Sequence, residues 1–276
     1  MEADARHELV ISAVCSVAHR HGIEEMNPTI IKDSNNTVVD LGVENLVAKV
    51  ATSTLPGHSI DAEFRVLKHL HNKRGPTARL SDRIEHGPHT ELGCRLFFLE
   101  RLQLTNADIN ESQAMETVLA THDALGDFTF EIPDFLRNLT TTEALFHNPT
   151  LTPELPKTER TFCATVATWL REQFDGRTWE TKVLHGDPWI GGNLVNTTDG
   201  PRLIDFEAVC RGPIEWDLSS FLDKEIDSID KDLFGVCRLL RSFTVSAFCW
   251  AQPGRAPEVD EAALWHLNAL HTTLGR

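Results

Sequence analysis

A chain of 276 residues, 41% hydrophobic and 24% charged, is long enough for one large domain or two modest lobes with their own cores. Its formal net charge of -15 argues against nucleic acid and against an anionic membrane surface, which are held by basic patches; it suits a cationic small molecule, or only keeps the surface soluble. Six scattered cysteines with no C-x-x-C pair exclude a zinc module or disulfide scaffold; with no leader and no approach to the roughly 18 apolar residues of a membrane span, the expectation is reduced thiols and a cytoplasmic location.

From Asp4 to about His21, Leu9, Val10, Ala13, Val14 and Val17 recur at helical spacing, so the chain opens on an amphipathic helix that stops near Gly22. Thr37–Leu41 and Leu46–Val50 are β-rich runs joined by Gly42-Val43-Glu44-Asn45 and form a predicted hairpin. Asp61–His71 returns to a helical pattern. A second strand pair is expected over Arg79–Glu85 and Arg95–Glu100, broken by the turn at Gly87-Pro88. Beyond Leu102 helices dominate, at Ser112–Leu125, Pro156–Phe174 and Lys231–Trp250. The exception is Val183–Glu207, where short apolar runs alternate with Gly, Pro and Asp as in a small hairpin presenting loops. A strand-rich part followed by a helix-rich part predicts an α+β fold with two lobes, residues 1–102 and 103–276.

The most informative segment is His185-Gly186-Asp187, then Asn193, then Ile204-Asp205-Phe206-Glu207. Phosphoryl transfer asks a protein for a carboxylate that orients the acceptor hydroxyl and for oxygen ligands that hold magnesium. Asp187 can be the first, and Asn193 with Asp205 the second, a sparse set that suits magnesium shared with phosphate and water. Together with Gly212-Pro213 and Trp216-Asp217-Leu218, this ordered series resembles the aminoglycoside phosphotransferase and choline kinase superfamily. The resemblance implies a two-lobed protein-kinase-like fold, with an N-terminal antiparallel sheet lobe for nucleotide and a mainly helical C-terminal lobe for catalysis, metal and acceptor. It also implies ATP and Mg2+ as cofactors. One feature departs from the kinase pattern: five residues separate Asp187 from Asn193 where the pattern has four, and Gly191-Gly192 can absorb the extra one. His185 is either a loop brace or a packed histidine, Asp217 a cap or an anchor, and Trp216 a core residue.

The same resemblance extends into the first lobe. Leu46-Val47-Ala48-Lys49-Val50 is similar to the kinase strand whose Lys pairs the α- and β-phosphates, and Glu63, fourteen residues on, matches the Glu that orients it. Ser34-Asn35-Asn36 resembles the phosphate-covering turn, with Ser34 and Asn35 as its binding residues, although an ordinary hairpin loop would read the same way. Phe97-Phe98-Leu99-Glu100-Arg101-Leu102 is similar to the hinge strand, where adenine would meet backbone near Glu100 and Leu102; a plain edge strand also fits.

Three functions stay open on sequence. The first is an antibiotic-modifying phosphotransferase holding a cationic amino sugar, for which the acidic stretch Asp223, Glu225, Asp227 and Asp230 is a candidate contact or a solvated face. The second is a metabolic kinase of choline, a sugar, a fructosamine or an amino alcohol. The third is a nucleotide-binding protein with little catalytic activity, which the longer loop makes conceivable.

Overall fold

The computed structural model describes residues 3–34, 36–43, 45–52, 59–85, 87–222, 227–251 and 257–275. In chain order its elements are α1 (Ala3–Arg20), β1 (Thr29–Asp33), β2 (Thr37–Asp40), β3 (Val47–Val50), α2 (Ile60–Lys73), β4 (His89–Glu91), β5 (Cys94–Leu99), α3 (Glu111–Ala124), α4 (Arg137–His147), α5 (Lys157–Phe174), β6 (Lys182–Leu184), β7 (Leu194–Thr197), β8 (Gly200–Leu203), a 3-10 turn at Phe206–Ala208, β9 (Cys210–Gly212), α6 (Ile214–Leu218), α7 (Lys231–Trp250) and α8 (Pro257–Leu274). They fall into two compact units, the first made of Met1–Ile132 and Asp187–Val209, the second of Pro133–Gly186 and Cys210–Arg276.

The first unit is built on an antiparallel five-stranded sheet in the order β1-β2-β3-β5-β4. β2 and β3 are short and Val-rich, which suits a pleated surface covered on both faces. One face meets α1, whose Val10, Val14 and Val17 close over Val39, Val50 and Phe98. α2 begins at Ser59, whose hydroxyl accepts the Ala62 N–H at 3.3 Å, and places Asp61 and Glu63 in its first turn, where the helix dipole favours acids. It ends on Arg74 in the left-handed region, φ 57°. The opening helix, the first hairpin and α2 lie where the sequence puts them.

Two expectations for this unit need correction. Arg79–Glu85 is not a strand: Leu80 makes an isolated bridge to Leu99, the next residues turn with the Arg83 N–H on the Ser81 hydroxyl, and β4 takes the edge of β5 instead. The division also does not come once after Leu102. The β7–β8 hairpin returns to the first unit because Leu203 exchanges backbone bonds with Pro76 and Ala78, and Thr198 donates to Gln103. β1 was not foreseen; it pairs Thr29–Asp33 with β2.

The second unit is helical, with β6 and β9 paired antiparallel. Its core gathers Phe135, Leu170, Trp216, Leu240 and Phe243. α5 and α7 match the expected helices; α4 and α8 are additions. α7 is long and apolar enough, by length and composition, to cross a membrane, contrary to the expectation that no segment approaches that limit, but half of it is buried in the protein, as for a core helix. Of the six cysteines, all free, Cys94, Cys163, Cys210 and Cys237 are buried.

Candidate active site

The chemistry-bearing residues of the first unit converge around β3. Lys49 lies opposite Val38 on β2 and Phe97 on β5. Its ammonium contacts Glu63 of α2 at 2.8 Å and Asp205 at 2.5 Å. Glu63 is 1% exposed, and its Oε1 also accepts the Phe206 N–H at 3.0 Å, so one carboxylate ties the lysine to the backbone just after Asp205. Burial alone would lower the Lys49 pKa, but the charges of Glu63, Asp205 and Glu207 outweigh it and hold the ammonium above the ordinary lysine value. Burial pushes the Glu63 carboxyl up, against the pull of Lys49.

Asp205 sits between β8 and the 3-10 turn at φ 68°, a left-handed conformation uncommon outside glycine. Its second oxygen lies 3.4 Å from the ammonium of Lys32 on β1. The Ile204 N–H donates to the Asn193 carbonyl at 2.8 Å, which fastens the approach to Asp205 onto the loop carrying Asn193. The Asn193 amide nitrogen donates to the backbone carbonyl of Asp187 at 3.0 Å and to its carboxylate at 3.2 Å. The loop with one residue more than the kinase pattern therefore still sets Asn193 against Asp187. It closes through Gly191 N–H on the Leu194 carbonyl and Leu194 N–H on the Trp189 carbonyl, each at 3.1 Å, with Gly191 at φ 84°.

Above Lys49 a cavity of about 610 Å³ is walled by Val38, Val47, Leu99, Leu102 and Ile204, with Lys49, Glu63 and Asp205 at its polar end. An apolar slot ending in a few convergent polar groups is the usual form of a small-molecule site. Glu100 and Leu102 both line it, and the Glu100 N–H is already committed to the Arg79 carbonyl at 2.8 Å. Ser34 is an exposed residue of the β1–β2 turn and is not among the cavity's lining residues; Asn35 lies outside the described residues. The turn's buried side chain is Asn36, which donates to Glu207 at 2.5 Å and accepts the Thr52 N–H at 3.3 Å.

Asn36 and Glu207 stand in the turn and the Ile204–Glu207 run that the sequence singles out but were given no role of their own, and Lys32 was not singled out. Lys32 was legible in part, since Thr29-Ile30-Ile31 before a Ser-Asn-Asn turn carries a strand signature. The bond between Asn36 and Glu207 spans 171 positions and left no local signal. Among the described residues no group of three or more His, Cys, Asp or Glu can hold a metal. The oxygen donors of Asp205 and Asn193 are a sparse, hard set, the kind a divalent cation completes with phosphate and water rather than with protein.

In the second unit Asp217 resolves as an anchor: its two oxygens accept the backbone N–H groups of His185 and Gly186, each at 2.8 Å. His185 and Trp216 are buried. Of the acidic stretch, Asp223 and Glu225 lie outside the described residues. Asp227 pairs with Lys231 on the surface, and Asp230 caps α7 through the Leu233 N–H.

A sequence profile described as "Phosphotransferase enzyme family" matches residues 29–240. No curated protein matches the chain in sequence. Among solved structures, the chain is similar to the amicoumacin kinase hAmiN in complex with AMP-PNP, Ca2+ and Ami, at 12% identity and TM-score 0.68, covering 99% of this chain and 97% of that one. It is similar to the microcompartment-associated aminopropanol kinase at 12% identity and TM-score 0.69, covering 95% and 98%. The choline kinase from Cryptosporidium parvum Iowa II aligns at 12% identity and TM-score 0.66, covering 95% and 94%. At such identities these likenesses establish the protein-kinase-like α+β fold.

Proposed function

The chain belongs to the phosphotransferase enzyme family, and from that premise we propose that it is an ATP- and magnesium-dependent kinase acting on a hydroxyl of a small molecule. The observation that carries the reading is the convergence, within one compact unit, of Lys49, Glu63 and Asp205 at the polar end of an apolar cavity. ATP with magnesium, when bound, supplies the transferable γ-phosphoryl group and the divalent charge that neutralises it. Lys49 would hold the α- and β-phosphates, and Glu63 keeps its ammonium aimed and charged. Asp205 and Asn193 would hold the metal, Asn193 through its amide oxygen since its amide nitrogen is turned to Asp187. The purine would lie in the apolar slot that Glu100 and Leu102 line. Asp187 orients the acceptor hydroxyl and takes its proton.

The acceptor is an antibiotic such as an aminoglycoside, or a metabolite such as choline, a sugar, a fructosamine or an amino alcohol. The closed geometry of the longer loop speaks against a protein that binds nucleotide without transfer. The test is magnesium-dependent ADP release over a panel of these acceptors, with Asp187→Asn as control. One class of acceptor is expected to stimulate release; the variant should lose about 10²- to 10⁴-fold in kcat while ATP affinity changes less than about twofold. ATP binding with no stimulation by any acceptor would instead favour the reading without transfer.

A further inference from the structure

We propose that Trp189 is the seat of the acceptor: its indole face receives a group with a positive outer surface, an alkylammonium or the C–H face of a saturated ring, carried beside the hydroxyl to be phosphorylated. The inference rests on the transferase reading above and deepens it.

Trp189 lies two residues after Asp187, yet its side chain is 48% exposed while the preceding Pro188 is buried. A tryptophan in that position would ordinarily gain by packing inward. Instead the indole packs on the backbone of its own loop. A Cβ built on Gly192 would lie 1.8 Å from Cε2 and 1.9 Å from Cζ2 of the indole, so the ring rests directly on the Gly192 backbone. The Trp189 carbonyl accepts the N–H groups of Gly192 at 3.3 Å and Leu194 at 3.1 Å, which fixes the residue at both ends of the turn. The glycine pair that accommodates the extra loop residue is thus also the bed of an outward-held aromatic ring.

Single exposed aromatics are common on protein surfaces, and Trp265 on α8, 63% exposed, is one. Trp265 stands on a regular helix beside His266. Trp189 instead occupies a turn whose length and glycine suit one ring orientation, on the same loop as the carboxylate proposed to take the acceptor's proton. An indole face is electron-rich, and it attracts cations and polarised C–H groups more strongly than the other aromatic rings do. The Asp187 carboxylate, two residues earlier in the chain, and the chain's net charge of -15 add to that preference.

The test is calorimetric binding of four probes to the full chain in the presence of AMP-PNP and magnesium: choline, its neutral isostere 3,3-dimethylbutan-1-ol, glucosamine and glucose. At least one probe is expected to bind the wild type, roughly tenfold more weakly in Trp189→Ala, with Trp189→Phe intermediate and AMP-PNP affinity unchanged in all. Gly192→Ala keeps the indole but displaces it, and should weaken the same probe. Selective loss of choline over its isostere identifies the ammonium as the seated group; equal loss of glucosamine and glucose identifies the ring face. Unchanged probe affinity in Trp189→Ala, parallel loss of AMP-PNP affinity, or no probe bound by the wild type would each overturn the assignment. Trp189-dependent binding without acceptor-stimulated ADP release would retain this inference and sink the transferase reading.

Discussion

The two compact units each bury a cation, but they satisfy it differently. In the first unit Lys49 is held by the carboxylates of Glu63 and Asp205, with Glu207 adding its charge. In the second, Arg241 of α7 donates to the carbonyls of Trp216 at 2.7 Å and Gly186 at 3.2 Å and to the Ser219 hydroxyl at 3.0 Å, with its guanidinium 4.0 Å from the Trp216 ring centre. Its acidic neighbour Asp217 accepts the backbone N–H groups of His185 and Gly186. Charge set against mobile charge can be exchanged for the charge of a ligand, whereas bonds to fixed backbone dipoles hold a scaffold in place. The exposure agrees, since the Asp205 side chain is 17% accessible and Asp217 is fully buried. The kind of partner, more than burial, separates a site from a brace.

The strongest way to break this contrast is Lys49→Met. Three carboxylates then share a pocket without their principal cation, so ATP affinity and kcat/KM should both fall, the latter by about 10²- to 10³-fold. Steady-state kinetics and nucleotide titration check this. A Lys49→Met protein that binds ATP as tightly as the wild type would mean that the cluster is a structural ion pair.

Arg241→Met probes the other side. Removing the guanidinium leaves buried carbonyls without their donor and should lower the unfolding free energy by about 2–4 kcal/mol, read from urea melts followed at constant pH. ATP affinity should stay within about twofold of the wild type, because all the described residues that line the cavity proposed for nucleotide belong to the first unit. A large loss of ATP affinity with little loss of stability would reverse the assignment of the two cations.

The unevenness of what sequence reveals follows the same division. Lys49, Glu63, Asp187, Asn193 and Asp205 stood out in the sequence because phosphoryl transfer restricts residue type and order, so an ordered series is visible even where similar solved structures share 12% of their residues. α1, α2 and α5 were legible from spacing of apolar residues. The partners of Lys32 and Asn36 were not, since each meets a residue more than 150 positions away, and chain-local patterns carry no record of such pairs. Arg241 was hidden for a related reason: within an apolar helix it reads as the solvent-facing residue, and only tertiary packing turns it onto the carbonyls of Gly186 and Trp216. The strand expected at Arg79–Glu85 failed because edge pairing depends on which segment reaches β5 first, which β propensity does not decide.

The smallest effect sharpens the contrast most finely. His266 of α8 is largely buried, and burial together with the charge of Arg241 lowers its pKa from 6.5 to about 4. Above pH 6.5 the ring is neutral in the folded and unfolded chain, and its contribution to stability is complete. Below that pH the unfolded chain takes up a proton that the fold refuses until about pH 4, so stability is lost across that window. Allowing for partial exposure, the loss amounts to about 2 kcal/mol. Because many carboxylates titrate in the same range, the quantity to measure is the difference between wild type and His266→Gln in urea midpoint from pH 7 to pH 4. That difference should shrink in an Arg241→Met background, where the charge opposing protonation is gone, and should be indifferent to Lys49→Met. A Lys49 dependence as large as that of Arg241 would show that the two buried cations act on one electrostatic field rather than on two.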